Sequence, residues 1–550
     1  MRAANPASDL GRLARQLEAS WRIADVRSSS EQWSAATAET CFAVLDSADR
    51  FAREVLEPLN YSMDQSGCRL EDGRVKTAPG HREAWSAYLE AGWPTLEAEE
   101  NVGGQGLPAI LAFAAQELFD RACPAFGMLP VPQRSAFRLI RVFGSDDMRS
   151  EWLPRLASGE WGATICVSEV GAGSDLARAS TRADASLDGT WTISGEKCWI
   201  SYGDHDLADQ IGHVVLAQTQ MPDGKSRPSL FLVPSILPDG KRNQIEIRRV
   251  EHKLGLHGSP TCALGFEAAT GWLLGEAGKG LQQLFVMIAN MRLAVGAMGL
   301  GIASGAADAA SSYAAERKQG GKPTAVTIDK HADVQLQLLD LTTPPILLRG
   351  LLYAVANAND LSSTGDGEAE ALAAWLLPIV KTMGGEISFQ TADAAIQVLG
   401  GAGYTNEWPI EQALRDARVL TIFEGTTGIQ AIDLVHRRLL LDDESYTTFL
   451  RIAGAYDDDR LAQCLHELKA AAGWLMANPS GVEAGATAFL HLAALSALSW
   501  IAASYLVSLP EDREVGIAAQ HWLDTVAQKS TGLRLKVEAG RSLVARFDAN

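Results

Sequence analysis

Between Trp161 and Trp272 the hydrophobic pattern of the chain changes period. Apolar residues there alternate or fall in short runs: TWTISGEKCWIS (190–201), GHVVLAQT (212–219), SLFLVPS (229–235), NQIEIRRVE (243–251) and TCALGFEA (261–268). Turns rich in Gly, Asp and Pro separate them, as in LDGT, MPDGK and LPDGK. A period of two bounded by such turns predicts strands, so these roughly 110 residues form an all-β domain. Helical periodicity flanks it on both sides. A β domain set between helical ones excludes a doubly wound nucleotide-binding fold, which needs strands and helices in alternation.

Upstream, helical spacing runs from Glu31 to Leu56 with Pro58 as its stop, then over Pro108–Arg121 and Arg134–Phe143. The stretch EENVGGQGLP (99–108) reads as a Gly-rich turn. Downstream, Leu281–Lys318 reads as one long helix rich in small residues, which let helices approach closely. Two more helices follow near 331–359 and 368–398, separated by a solvated loop, SSTGDGEAE (362–370). Residues 443–550 read as an added helical bundle. The expected order is therefore helical (1–160), β (161–272), helical (273–442) and helical (443–550). The GxG in GLGIASG (299–305) lies inside a helical pattern, not after a strand, and is not a dinucleotide fingerprint.

Charge and cysteine usage narrow the function classes. A net charge of −19 argues against a nucleic-acid grip, which needs a basic footprint. The seven cysteines (41, 68, 123, 166, 198, 262 and 464) are odd in number, widely spaced and form no CxxC, so neither a disulfide framework nor a zinc knuckle is expected. The opening MRAANPASDLGRL has no apolar core of a secretory signal, and the expected compartment is the cytoplasm. Ala484–Leu509 carries no charge and is long enough to cross a bilayer, but its many Ala and Ser suit a helix buried in a bundle, so no membrane span is expected.

Three stretches carry chemistry. SEVGAGSDLA (168–177) has two glycines bracketing Ala172, leaving backbone N–H groups free for a phosphate or flavin. GEKCWISYGDHD (195–206) has a Trp followed by Ser and a Gly-Asp turn, which suits either a cover for an aromatic cofactor or a core Trp. In QVLGGAGYTNEWPIEQALRDARVLTIFEGTTGIQ (397–430), the GGAGY loop permits close backbone approach, and Glu424 stands between Phe423 and Gly425. A carboxylate in apolar surroundings has its proton affinity raised, which suits a general base, although a lone Glu there also reads as a capping acid.

Taken in this order, the motifs resemble those of the acyl-CoA dehydrogenase family over about residues 40–440. SEVGAGSD resembles the family's TEPGAGSD, WISY its WITN, ERKQGGK (316–322) its Arg-containing segment after the long helix, and FEGT its base motif YEGT. The stretches SYGDHDLADQIGHVVLAQ (201–218) and EHKLGLHGSPTCALGF (251–266), and separately the added C-terminal section, are similar to a branch of longer members. The resemblance implies a mostly α, α+β architecture: an N-terminal helical domain, a middle β-barrel and a C-terminal four-helix bundle, here extended by a further helical domain.

The resemblance also implies FAD as cofactor, an acyl-CoA substrate, an electron-transfer flavoprotein as acceptor, and a homodimer or tetramer with shared FAD sites. It casts Glu424 as the base, with Ser168, Trp199 and Ser201 around the isoalloxazine and Arg317, Gln397, Gly400 and Gly401 at the diphosphate. Thr426 falls beside the adenine half, Ser174 by the CoA arm, and Arg292 behind the active site. Several positions depart from the family pattern: Ser168 and Ser201 for Thr, Val170 for Pro, Phe423 for Tyr, and Gly320 for Phe. TTPP (342–345) is expected to interrupt a helix that borders the acyl pocket in the family. A flavoprotein oxidase or monooxygenase of the same fold is the alternative, against which the intact Glu424 counts. A non-enzymatic, DNA-associated member would want a basic patch.

Overall fold

The computed structural model describes residues 9–98 and 103–548; the first eight residues, the head of the Gly-rich turn and the last two residues lie outside it. Two compact units are built from interleaved segments. One comprises the chain up to Ala52, Leu107–Ala122 and Arg292 onward; the other comprises Arg53–Gly106 and Cys123–Met291.

The second unit holds all nine strands found among the described residues. They are β1 (Arg69–Glu71), β2 (Arg74–Lys76), β3 (Trp161–Cys166), β4 (Arg182–Ala185), β5 (Trp191–Ser201), β6 (Gln210–Gln220), β7 (Ser226–Pro234), β8 (Ile245–Val250) and β9 (Thr261–Leu274). Five of them pair in a ring. β6 meets β4 in parallel and β7 in antiparallel, β4 meets β5, β5 meets β9, and β9 returns to β7. That ring closes a barrel; β3 joins it on β6 and β8 on β9, each paired along one side only. Cys166, Ile193, Val215, Phe231, Cys262, Leu264 and Phe266 fill the interior. Both Cys166 and Cys262 serve as small core residues whose thiols burial pushes upward.

The β1–β2 hairpin stands within the stretch expected to be helical. It turns through Asp72 and Gly73, both at positive φ. Asp-Gly is the residue pair such two-residue turns select. Asp204 fastens the hairpin by accepting from Arg74 Nε at 2.9 Å and from the Val75 N–H at 2.8 Å. Pro58 corrects a further expectation, because it does not stop the helix: helical backbone runs from Ala38 through a π turn at Ala52–Leu56 into Glu57–Ser66, with Pro58 just after that π turn.

In the first unit, the helix Gly280–Glu316 from Arg292 onward and the helix Gly367–Leu399 run parallel in contact. A Cβ on Gly299 would lie 2.1 Å from the Gly384 carbonyl oxygen, and one on Gly301 would lie 2.6 Å from the carbonyl oxygen of Glu117 in the helix Ala109–Ala122. Both glycines of the GxG at the start of GLGIASG are therefore used for helix packing. At the far end Ala314, Val398 and Leu399 share one hydrophobic cluster.

TTPP does not interrupt its helix, contrary to expectation: Ala332–Ser363 is continuous with Pro344 and Pro345 inside it. The two missing N–H groups leave the carbonyls of Asp340 and Leu341 without their usual donors, at about 3 kcal/mol for an interior proline. Burial of most of the run from Leu341 to Leu361 offsets this, and Arg349 within that run pairs with Glu117 at 2.5 Å. The loop expected at 362–370 is also shorter, because Asp366 caps the next helix by accepting from the Ala369 N–H. Three helices, Gly280–Glu316, Ala332–Ser363 and Pro479–Ser508, are long and apolar enough to cross a membrane, and 72%, 72% and 78% of their most apolar windows are buried within the protein.

Candidate active site

In the first unit the helix Gly367–Leu399 supports the FEGT loop. Gly385 admits the backbone of the short 3₁₀ turn Arg418–Thr421, with its virtual Cβ 2.8 Å from the Leu420 carbonyl carbon. After that turn the chain reverses through Glu424 at φ +54° and Gly425 at φ +92°. A left-handed Glu is strained, and such strain persists only where its surroundings over-determine it. Three hydrogen bonds do so here. Gln430 Nε2 donates to the Glu424 carbonyl at 2.8 Å, and Lys381 Nζ donates to the carbonyls of Leu420 at 2.9 Å and Gly425 at 2.7 Å. Thr426 then caps the helix Thr427–Val435 by accepting from the Ile429 N–H.

The Glu424 carboxyl is held above the ordinary carboxylate range. Removal from water is the largest cause, and the positive charges of Lys381 and Arg292 oppose it. Arg292 is paired with Asp433 at 2.9 Å. Lys381 is fully buried, and burial pulls its ammonium down to about 8. Glu386, one turn further along, accepts from Thr427 Oγ1 at 3.2 Å and meets His491 Nε2 at 3.1 Å. The helix Val482–Ser508 of the added C-terminal section thus reaches the support of this loop. Lys381 and Glu386 escaped the sequence reading, because a lysine within an apolar helical run reads as a surface residue.

Arg317 follows the first of the two parallel helices, Gln397 lies in the last turn of the second and Gly400 and Gly401 follow it, at the end where Ala314, Val398 and Leu399 cluster; all four are exposed. Gly400 lies at φ +60°, and neither glycine has a heavy atom within 4 Å of its virtual Cβ. Open backbone and an exposed guanidinium are each suited to an anionic group. Thr426 is exposed at the head of its own helix.

In the second unit Trp199 is 56% exposed. It lies at φ +58°, where the β5–β9 register shifts between Lys197 and Ile200. Such a bulge re-aims a side chain. The core aromatic of WISY is its neighbour Tyr202, buried and donating to the Ala125 carbonyl at 3.0 Å. Ser201 closes β5, and its carbonyl accepts from Thr164 Oγ1 at 2.7 Å.

Ser168 lies after β3, its carbonyl accepting from the Cys198 N–H at 3.0 Å, so it is tied to the strand that carries Trp199. The following Gly-rich turn is anchored by Glu169, another residue not singled out from sequence. Glu169 is buried and accepts from Lys197 Nζ at 2.8 Å and from the N–H groups of Ser180 and Thr181, which hold it at about 2 despite its burial. That anchor leaves Val170, Gly171, Gly173 and Ser174 exposed.

Each unit therefore holds a part of the expected constellation: Glu424, Arg292, Thr426, Arg317, Gln397, Gly400 and Gly401 in the first, and Ser168, Ser174, Trp199 and Ser201 in the second. Three sequence-family models match in sequence order: the acyl-CoA dehydrogenase N-terminal domain over residues 39–160, the middle domain over 164–269 and the C-terminal domain over 278–440. The chain belongs to the acyl-CoA dehydrogenase family, a family of oxidoreductases. Among its relatives, the 3-methylmercaptopropionyl-CoA dehydrogenase of Ruegeria pomeroyi is 36% identical over 491 residues, covering 83% of this chain and 84% of that one. A butyryl-CoA dehydrogenase of Syntrophomonas wolfei is 30% identical over 82% of this chain and 81% of its own. The structure of an acyl-CoA dehydrogenase complexed with FAD from Bacillus anthracis matches with a TM-score of 0.73, covering 92% of this chain and 88% of that one at 21% identity, a likeness of fold.

Proposed function

We propose that this chain is an FAD-dependent acyl-CoA dehydrogenase that converts an acyl-CoA thioester to its 2-enoyl-CoA, with Glu424 as the base. The observation that carries the reading is the Glu424 carboxyl, desolvated on a strained backbone and faced by Lys381 and Arg292. A thioester carbonyl acidifies its α-carbon, and a positioned carboxylate of raised proton affinity is suited to take that proton. When bound, FAD supplies the two-electron acceptor for the hydride that leaves the β-carbon.

The residues present fit that cofactor. Trp199 offers an exposed aromatic face for a flavin ring, with Ser168 and Ser201 supplying hydroxyls. Arg317, Gln397 and the open backbone of Gly400 and Gly401 suit a diphosphate, with Thr426 toward the adenine half. Ser174 is assigned to the CoA arm. Arg292 offsets the charge that Glu424 carries before it takes the proton. The diphosphate residues lie on the chain's own surface, which supports a homo-oligomer that shares each FAD between subunits. An electron-transfer flavoprotein is the proposed acceptor.

The purified protein should be yellow and should bleach when an acyl-CoA is added. Glu424→Gln is expected to slow bleaching by about 10²–10⁴-fold. The rate should also rise with pH along an acid limb lying above the ordinary carboxylate range, since the base works deprotonated. Bleaching of undiminished rate in Glu424→Gln would remove the base assignment.

A further inference from the structure

We infer that Lys381 is a positioning residue for Glu424, bracketing it through the carbonyls of Leu420 and Gly425 and facing it with a positive charge. The inference rests on the assignment of Glu424 as the base.

The geometry is specific. The Gly425 carbonyl directly follows Glu424, and the Leu420 carbonyl lies four residues before it, so one ammonium spans the whole reversal. The approach is possible because Gly384 and Gly385 strip side chains from the helix one turn beyond Lys381. Gly384 admits the Gly280–Glu316 helix, and Gly385 admits the Leu420 backbone.

An ammonium buried for stability alone is a poor choice, since its desolvation offsets most of what its hydrogen bonds contribute. Its charge acts on the carboxyl as well. Lys381 and Arg292 are the cations that lower the Glu424 proton affinity, and Arg292 shares its charge with Asp433. Arg437 also pairs with Asp433. Glu386 faces Lys381 and is itself held by Thr427 and His491. Without Lys381, Glu424 would keep its desolvation and lose one of its two opposing cations.

The test uses the full chain loaded with FAD, with butanoyl-CoA and octanoyl-CoA as probes in stopped-flow bleaching. Lys381→Met removes donor and charge, Lys381→Gln keeps a donor, and Lys381→Arg keeps the charge. Met and Gln are expected to lower the maximal rate at pH 7 by about tenfold or more, with half-saturation moved by less than about threefold. The acid limb should move up by about one pH unit, while Arg holds the limb in place.

An independent reading comes from the infrared carboxyl band of Glu424, identified by its loss in Glu424→Gln. That band should titrate at higher pH in Lys381→Met without any substrate present. Should Lys381→Met fail to fold, Lys381→Gln decides. A limb and a carboxyl titration matching the wild type in these variants would overturn the inference. Bleaching by Glu424→Gln at the wild-type rate would instead bring down the base assignment, and this inference with it; that result is distinct because it needs no Lys381 variant.

Discussion

The barrel unit carries three buried histidines that should make it sensitive to mild acid. His81, His205 and His213 are held neutral, their pKa values pushed down to about 3, 4 and 4, chiefly by burial. His205 further opposes protonation of both His81 and His213. Arg74 and Arg82 oppose that of His205, while Asp204 and Asp206 favour it. An unfolded histidine takes up its proton near 6.5, so below that pH the unfolded state binds more protons than the folded one. The histidine contribution is thus complete above about pH 6.5 and declines as pH falls toward 4.

Each group contributes a slope of up to about 1.4 kcal/mol per pH unit, so the three give about 4 kcal/mol per unit near pH 5.5. Carboxylates such as Glu169 titrate lower in both states, near 4.5 when unfolded, so the histidines dominate from about pH 5.5 to 6.5. The assay is hydrogen exchange of peptides from β5, β6 and β9 between pH 5 and 7, corrected for intrinsic rates. Protection should fall steeply with acid, and His213→Gln should flatten the slope by about a third. Protection that stays level over this window, or a variant with the wild-type slope, would refute the reasoning.

Two further predictions concern packing and cofactor. Gly299→Ala puts a methyl 2.1 Å from the Gly384 carbonyl oxygen, so the helices must part at a cost of about 1–3 kcal/mol or more; a melting temperature equal to the wild type's would contradict the close packing. Trp199→Ala removes a side chain that is already 56% exposed, so melting should change little while FAD titration shows weaker binding; unchanged FAD affinity would take Trp199 out of the flavin site.

What the sequence conveys here depends on how far apart the cooperating residues lie. The short apolar runs and alternation along β5, β6, β7 and β9 are local and legible, and so was the helical setting that excluded GLGIASG as a nucleotide loop. Ring closure depends on β6 meeting both β4 and β7, and no short-range pattern announces a parallel pair. The Asp-Gly turn at 72–73 was a local hairpin signal, obscured by the helical stretches around it. TTPP misled because a proline's cost is local while its compensation, the burial of Leu341–Leu361, comes from elsewhere in the unit.

The same logic separates the residues of the candidate site. Glu424 stood out because Phe423 and Gly425 are its neighbours in the chain. Trp199 could be read as core or cover until the register shift on β9 turned it outward. Lys381 stands about forty residues from the turn it holds, among residues that give it the look of an ordinary helical lysine. Its use becomes visible only when the glycines of helix Gly367–Leu399 bring the Leu420 backbone within its reach. The Lys381 variants therefore test more than one residue. If the charge under the turn governs the acid limb, the base's proton affinity is set by the helix packing at Gly384 and Gly385, and FEGT alone does not define it.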